Sequence, residues 1–371
     1  MASPMVVDLG SHAIKAGRSV GYPSDTEPSV VLPCTVQDSR VTVVEKLVHP
    51  MHAGVVTDWE GLETLLHYTL FEELGWAPEQ EGQLLVADPV LSSRSDRERL
   101  CQLAFEGLGV RGLFVADQGV LSLYAAGKTS GLVVDYGLDK TDVSPVLEGQ
   151  VHPVGAVRIP AGGRQLTELA RRLAAAPPPH GPGVTLGWEA AEALKLACLW
   201  FPGGTSGASG APGEEAVPAG PPATHTLPDG QTIEVEAVVR EASAALLDPG
   251  SLQGATPGAV PPLAQLVAAM GAALPDREAR KGVLGSLFVA GGAAGVAGLG
   301  AALAREVHAA LPAAQAVAAL EPPDHMPRGA ARSAAWAGGA VLAKVVAAQE
   351  QWVTRGEYDE AGPGAVHMRC L

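Results

Sequence analysis

A chain of 371 residues with 47% hydrophobic side chains can bury a large core, and at this length the core is expected to divide between two lobes. Its formal charge of -15 and pI of about 5.1 exclude sequence-independent binding to nucleic acid or to an anionic membrane, both of which need a basic surface. Four cysteines (Cys34, Cys101, Cys198, Cys370) lack metal or disulfide-framework spacing, and there is neither a signal-peptide pattern nor a run apolar enough to span a bilayer, so a cytosolic, cytoskeletal or nuclear setting is expected.

In chain order, Val6-Val7-Asp8-Leu9-Gly10-Ser11 is an apolar run ending in Asp-x-Gly, which predicts a strand, a tight turn and a returning strand. Thr57-Asp58 then caps an amphipathic helix carrying Leu62, Leu65, Leu66 and Leu70. Ser93 or Ser95 opens another helix with Leu100, Leu103 and Ala104, and Val120 to Ala126 is a third. Strand-like Leu84 to Ala87 and Leu113 to Ala116 lie between them, so the alternation predicts an α/β lobe with a mixed sheet. The opening phrase then returns as Val133-Val134-Asp135-Tyr136-Gly137. Two such hairpins suggest a duplicated fold. Glycine lets backbone N–H groups approach a phosphate, and an aspartate at a strand end can hold the water shell of Mg²⁺, so a nucleotide is expected between two related halves. Asp-x-Gly is also common in ordinary turns.

The tract from Pro202 to Thr226 is rich in Gly, Pro, Ala and Ser and reads as a mobile loop and a tolerated surface insertion. Beyond it, Glu241 to Leu247 and Ala301 to Leu311 are Ala-rich helix formers, and an aromatic content of 4% suggests a lightly packed second half.

The stretches from Asp8 to Gly17, Gly119 to Gly127 and Glu357 to Pro363 closely resemble actin in order and position. So do Gly54-Val55-Val56-Thr57-Asp58-Trp59, Leu227-Pro228-Asp229-Gly230-Gln231 and Val366-His367-Met368-Arg369-Cys370. The chain is thereby identified as a divergent, actin-like or actin-related member of the actin family. The resemblance implies the α/β, two-lobed ATPase fold with duplicated ribonuclease-H-like lobes. The first lobe would span 1–134 with a reduced outer subdomain, the second 135–335, and 336–371 would return to the first.

Carried onto this sequence, the family's nucleotide site falls on Asp8, Gly10, Ser11 and Lys15 in the first turn, and on Asp135 and Gly137 in the second. Gly291-Gly292 and Arg332 fall on the adenosine side, and Asp8 and Asp135 would hold Mg²⁺ through water. His12 replaces a glycine and threatens the phosphates or the backbone angle. After Gly137 the family has an Asp-Gly pair and a histidine, whereas this chain has Leu138, Asp139 and Asp142. Lys140 could supply charge there but reads as a solvated surface lysine. Gln118 matches the glutamine that positions the attacking water, while its histidine partner is the aspartate Asp142. Val296 stands at the adenine position, forfeiting roughly 1 kcal/mol of stacking. Lys195 falls near a ribose-binding glutamate. The expectation is weak binding of ATP and Mg²⁺ with negligible turnover, a pseudo-ATPase.

Assembly surfaces depart further. The stretch from Val30 to Pro50 is far shorter than in actin, and Gly254-Ala255-Thr256-Pro257-Gly258 replaces an apolar plug, so homopolymers are not expected. Tyr124, Gly127, Thr129, Leu342 and Val345 match a groove that accepts partner helices, or else they pack the lobe junction; Gln351 makes that groove more polar. The functional expectation is a non-polymerising structural subunit or adaptor of a cytoskeletal assembly, binding protein partners that include actin or actin-binding proteins. The alternatives are a slow ATPase or nucleotide switch, and an actin-related subunit of a nuclear chromatin-remodelling complex.

Overall fold

The computed structural model describes residues 3–21, 27–37, 47–77, 82–152, 155–176, 183–202, 223–227, 230–253, 260–274, 276–312, 315–323, 326 and 329–370. The opening phrase forms the expected hairpin. Strand β1 (Met5–Leu9) is buried throughout and turns at Gly10 into antiparallel β2 (Ala13–Arg18), which places Asp8 opposite Lys15. Gly10 is needed for the turn, because a Cβ there would stand 2.7 Å from the Ala13 carbonyl oxygen. Strand β3 (Val30–Pro33) pairs with β2, while β1 pairs in parallel with β4 (Gln83–Asp88) and β4 with β5 (Gly112–Asp117). Val353–Thr354 returns late in the chain to complete this six-stranded sheet beside β5.

The helices begin where their caps are. Helix α1 (Trp59–His67) starts at Asp58, whose carboxylate accepts from Gly61 N at 3.1 Å, and α2 (Arg94–Gln102) starts at Ser93, whose hydroxyl accepts from Asp96 N at 3.0 Å. Each runs on into a wider π-type turn, Tyr68–Glu73 and Leu103–Gly107. Helix α3 (Gln118–Ala125) follows β5 directly.

The second lobe repeats the plan. Strand β6 (Gly131–Tyr136) turns into antiparallel β7 (Thr141–Leu147), with Asp135 opposite Asp142, and β6 pairs in parallel with β8 (Leu287–Gly291). Gln150–Val151 and Val157–Ile159 both pair with β7, giving five strands. Helices α4 (Gly163–Ala175), α5 (Trp188–Cys198), α6 (Glu236–Leu247) and α7 (Leu299–Ala310) cover this sheet. The expectation of light packing is not met. Leu132, Val134, Val143, Ile159, Leu194, Leu263 and Leu303 are inaccessible in one aliphatic core, since alanine-rich helices approach closely enough to exclude water without large rings.

One other expectation changes. Thr224–Thr226 is a strand paired with Thr232–Glu234, so the proposed loop from Pro202 to Thr226 ends earlier; three residues at its end suit a pleated pairing, and residues 203–222 lie outside the described ones. The segment replacing the plug, 254–258, also lies outside them. Within the short outer stretch, Val36–Gln37 pairs with Leu47–Val48. All four cysteines are free and buried, and burial pushes the Cys101 thiol up to about 12.

The lobes share a third core. Val6, Leu85 and Ala87 of the first sheet, Val133, Phe288 and Ala290 of the second, and α3 all meet helix α8 (Ala334–Ala348). Trp336 is 1% exposed, and its indole N–H donates to the Val6 carbonyl at 3.2 Å. A Cβ on Gly338 would run into the Leu121 carbonyl, and one on Gly339 would stand 2.9 Å from Val6 Cγ1. Gly338→Ala is therefore expected to destabilise the protein by on the order of 3 kcal/mol through overpacking, read by urea denaturation, whereas Gly364→Ala, which meets nothing within 4 Å, should cost far less.

Candidate functional site

The two Asp-x-Gly turns open onto one cleft of about 470 Å³ between the lobes, a volume within the range of small-molecule sites. Asp8, Gly10, Ser11, Lys15 and Gln118 line it from the first lobe, Asp135, Gly137, Gly291 and Gly292 from the second, and Arg332 from the segment before α8. All the nucleotide-site candidates thus meet in one place. Gly291 takes φ +79°, and a Cβ on it would collide with Asp135 Oδ1 and the Tyr136 carbonyl, so glycine keeps this wall flat against the second turn.

Each oxygen of the Asp8 carboxylate accepts one protein donor. Lys15 Nζ lies 2.7 Å from Oδ2, and Gln118 Nε2 donates to Oδ1 at 2.7 Å and to the Leu9 carbonyl at 2.8 Å. The amide nitrogen of Gln118 therefore braces the first hairpin. Ser11 Oγ accepts from Gly54 N at 3.4 Å. His12 is exposed and is not among the described non-glycine residues with positive φ, so the turn closes without the backbone strain its side chain threatened.

The second turn has been rebuilt around charge. Lys140 is 6% exposed and lines the cleft, contrary to its reading as a surface lysine: its stem lies over Gly137, and its ammonium is ion-paired with Asp142. Arg158 donates to both oxygens of the same carboxylate, Nε to Oδ1 at 2.8 Å and Nη2 to Oδ2 at 3.0 Å. Its remaining reach is into the other lobe, to the Gly54 carbonyl at 3.4 Å and to the Val90 carbonyl. Asp139 makes a second bridge, binding Arg164 on its own lobe and lying 3.3 Å from His52 Nδ1 of the first. Sequence reasoning missed Arg158, Arg164 and His52; their only signal was the pair of new aspartates, which needed cationic partners once buried.

Burial holds the Asp135 carboxyl above its usual range, with Lys140 the main opposing influence. Elsewhere Lys195 is 5% exposed, and burial lowers its pKa; its ammonium contacts Glu192 Oε1 at 2.7 Å and Thr167 Oγ1 at 2.9 Å. Glu192 lines the cleft as well, and its i, i+3 spacing from Lys195 was the legible clue to it. Val296 packs against the second-lobe core and does not line the cleft.

Glycine-walled turns and flanking lysines fit a nucleotide phosphate chain. Of the two aspartates expected to hold Mg²⁺ through water, Asp8 already accepts one protein donor on each oxygen, whereas the Asp135 carboxylate lines the cleft and accepts no hydrogen bond among the described residues, so it would be the residue to hold a water of the metal's shell.

At the expected partner groove, Tyr124 and Leu342 pack against the junction core, as the alternative reading had it. Gly127 and Thr129 are exposed, as is Val345 at 43%.

Arg158→Gln should loosen the lobes, increasing amide exchange around Gly54 and Val90 and costing about 2 kcal/mol, because Lys140 still neutralises Asp142. A second test concerns Asp117, which flanks Gln118 and shares Arg97 with Asp88, Arg97 Nη2 lying 2.6 Å from Asp117 Oδ1. Burial pushes its carboxyl up to about 6. The contribution of this group to stability is full at pH below the ordinary carboxylate range and is lost as pH rises through about 6, so Asp117→Asn should flatten the pH dependence of the melting temperature between about pH 4 and 6.

The family model described as Actin matches residues 1–180 and 204–371. Actin-related protein 7 of Oryza sativa subsp. indica is 37% identical over 99% of this chain and 99% of its own length, and actin-related protein 7 of Arabidopsis thaliana is 33% identical over the same shares. Actin-like protein 9 of Bos taurus is 30% identical over 87% of this chain and 74% of its own length. With its paired hairpins, shared cleft and end-to-end match, the chain belongs to the actin family, as an actin-related protein.

Proposed function

We propose that this actin-related protein is a non-catalytic, non-polymerising structural subunit of a multiprotein assembly, with a cleft that holds ATP weakly. The observation that carries the reading is the commitment of the groups that would handle a water molecule. Asp142 is tied to Lys140 and Arg158, and the Gln118 amide nitrogen to Asp8 and Leu9. Orienting an attacking water needs polar groups with a free donor or acceptor in reach, and of this pair only the Gln118 amide oxygen is uncommitted, since both Asp142 oxygens are held by Lys140 and Arg158. The shortened outer stretch supports the second half of the proposal, since an open filament requires each subunit to present both complementary ends.

Two settings compete for such a subunit. A cytoskeletal adaptor follows from the resemblance to actin. An actin-related subunit of a nuclear chromatin-remodelling complex is the second setting, and the relatives matched from end to end are themselves named actin-related proteins. Cell fractionation with identification of co-purifying proteins separates them, remodelling subunits in a nuclear fraction supporting one setting and actin-binding proteins in the cytoplasm the other.

In a phosphate-release assay with ATP the purified protein should turn over negligibly, and actin-like turnover would refute the non-catalytic reading. Under salt and magnesium conditions that polymerise actin it should remain in the supernatant on sedimentation; regular homopolymers by electron microscopy would show that the short outer stretch is no barrier.

A further inference from the structure

The cleft joins two kinds of wall. The hairpins contribute glycine turns with Lys15 and Lys140 beside them, whereas the helical side of the second lobe contributes Leu196, Leu199, Leu246 and Leu252. A phosphate chain belongs with the first wall and a planar base with the second. Arg332 stands by the second. A Cβ on Gly295 would be only 3.0 Å from Arg332 Nη2, so the guanidinium lies against the turn after Gly291-Gly292, and just beyond that turn the Ala297 carbonyl accepts from Phe201 N at 3.2 Å, where the chain leaves α5.

Four lysine and arginine side chains line the cleft, and three of them are paired: Lys15 with Asp8, Lys140 with Asp142 and Lys195 with Glu192. The Arg332 guanidinium makes no hydrogen bond or ion pair among the described residues, and the residue is exposed. It is a planar fork of donors without an acceptor. The two purines answer such a fork differently. Guanine presents O6 and N7 as two acceptors side by side, whereas adenine sets the N6 donor beside the N7 acceptor. A donor fork therefore closes two parallel bonds on guanine and meets adenine with one bond and one opposed donor. The mixed edge of adenine suits a side-chain amide. Among the described residues the one amide side chain lining the cleft is Gln118, whose nitrogen is held by Asp8 and the Leu9 carbonyl. Glu192 supplies acceptors only, and each of its oxygens already accepts from Lys195 or Thr167, so it does not restore the adenine match.

We propose that Arg332 reads the base in this cleft and selects guanine over adenine, so that the preferred ligand is a guanosine nucleotide. The proposal rests on the nucleotide reading of the cleft and goes beyond it by naming the base. Arg332 donates to O6 and N7 from the segment before α8, while the lysines of the two turns stay with the phosphates. Weak binding of ATP then has a cause at the base as well as at the second turn.

Titration calorimetry of the full-length protein with GTP, ATP and ITP, all in excess Mg²⁺, tests this directly. GTP should bind at least about tenfold more tightly than ATP, a difference of about 1.4 kcal/mol. ITP keeps O6 and N7 but lacks the exocyclic amine of guanine, and it should follow GTP within about threefold. Arg332→Met keeps an apolar stem and removes the fork, so GTP should fall to the level of ATP while ATP changes by less than about threefold. Arg332→Gln carries the amide that pairs with adenine and should turn the preference toward ATP, a gain that a folding defect does not produce. Wild-type binding of ATP as tight as that of GTP, or an Arg332→Met protein that still prefers GTP, would overturn the proposal while leaving the nucleotide reading intact. So would an equal loss of GTP and ATP in Arg332→Met, the mark of a phosphate contact, and ITP that binds only as ATP does, which would assign the selection to a group facing the amine. No binding of any of these nucleotides would overturn both.

Discussion

Everything in this molecule depends on how closely α8 approaches α3. Gly338 and Gly339 leave no side chain between the helices, and Trp336 fixes the register by donating to the Val6 carbonyl. That contact joins the two sheets into one apolar junction, and the junction is what brings two separate hairpins to the same cleft. Hydrophobic burial supplies the driving force and glycine supplies the geometry. Neither hairpin would make a site alone.

On this scaffold the second turn is held by buried charge pairs. Each new aspartate of the second turn is buried, and a buried carboxylate is stable only with cationic or hydrogen-bonding partners. Asp139 found one across the lobe boundary, in His52, while Asp142 is paired with Lys140 and Arg158 of its own lobe, and Arg158 also donates to the first-lobe carbonyls of Gly54 and Val90. The result is a cleft whose mouth is fastened by polar contacts that need no ligand. A family architecture built to open and close around a nucleotide is here braced by its own side chains.

Much of this was legible in the sequence. The Asp-x-Gly repeat located both hairpins, Asp58 and Ser93 marked helix starts, and Gly291-Gly292 followed an apolar run, because turns and caps are local chemistry read within a few residues. What was missed is long-range. Whether Lys140 is a surface or a buried cation depends on Arg158 eighteen residues on and on Gly54 in the other lobe, and nothing in its immediate neighbours says so. The packing of Val296 against the core of the second lobe is long-range in the same way. Aromatic scarcity also misled, since packing density follows shape complementarity more than ring content.

The glycine contact between α3 and α8 also limits how the first lobe can deform. Helices separated by side chains can slide past one another as their ridges shift between neighbouring grooves. Here the Gly338 backbone lies against the Leu121 carbonyl, with no layer of rotamers to rearrange, so translation along the helix axes is blocked. The first-lobe wall of the cleft, which includes Gln118 at the start of α3, is thereby held in register with the C-terminal segment of the chain.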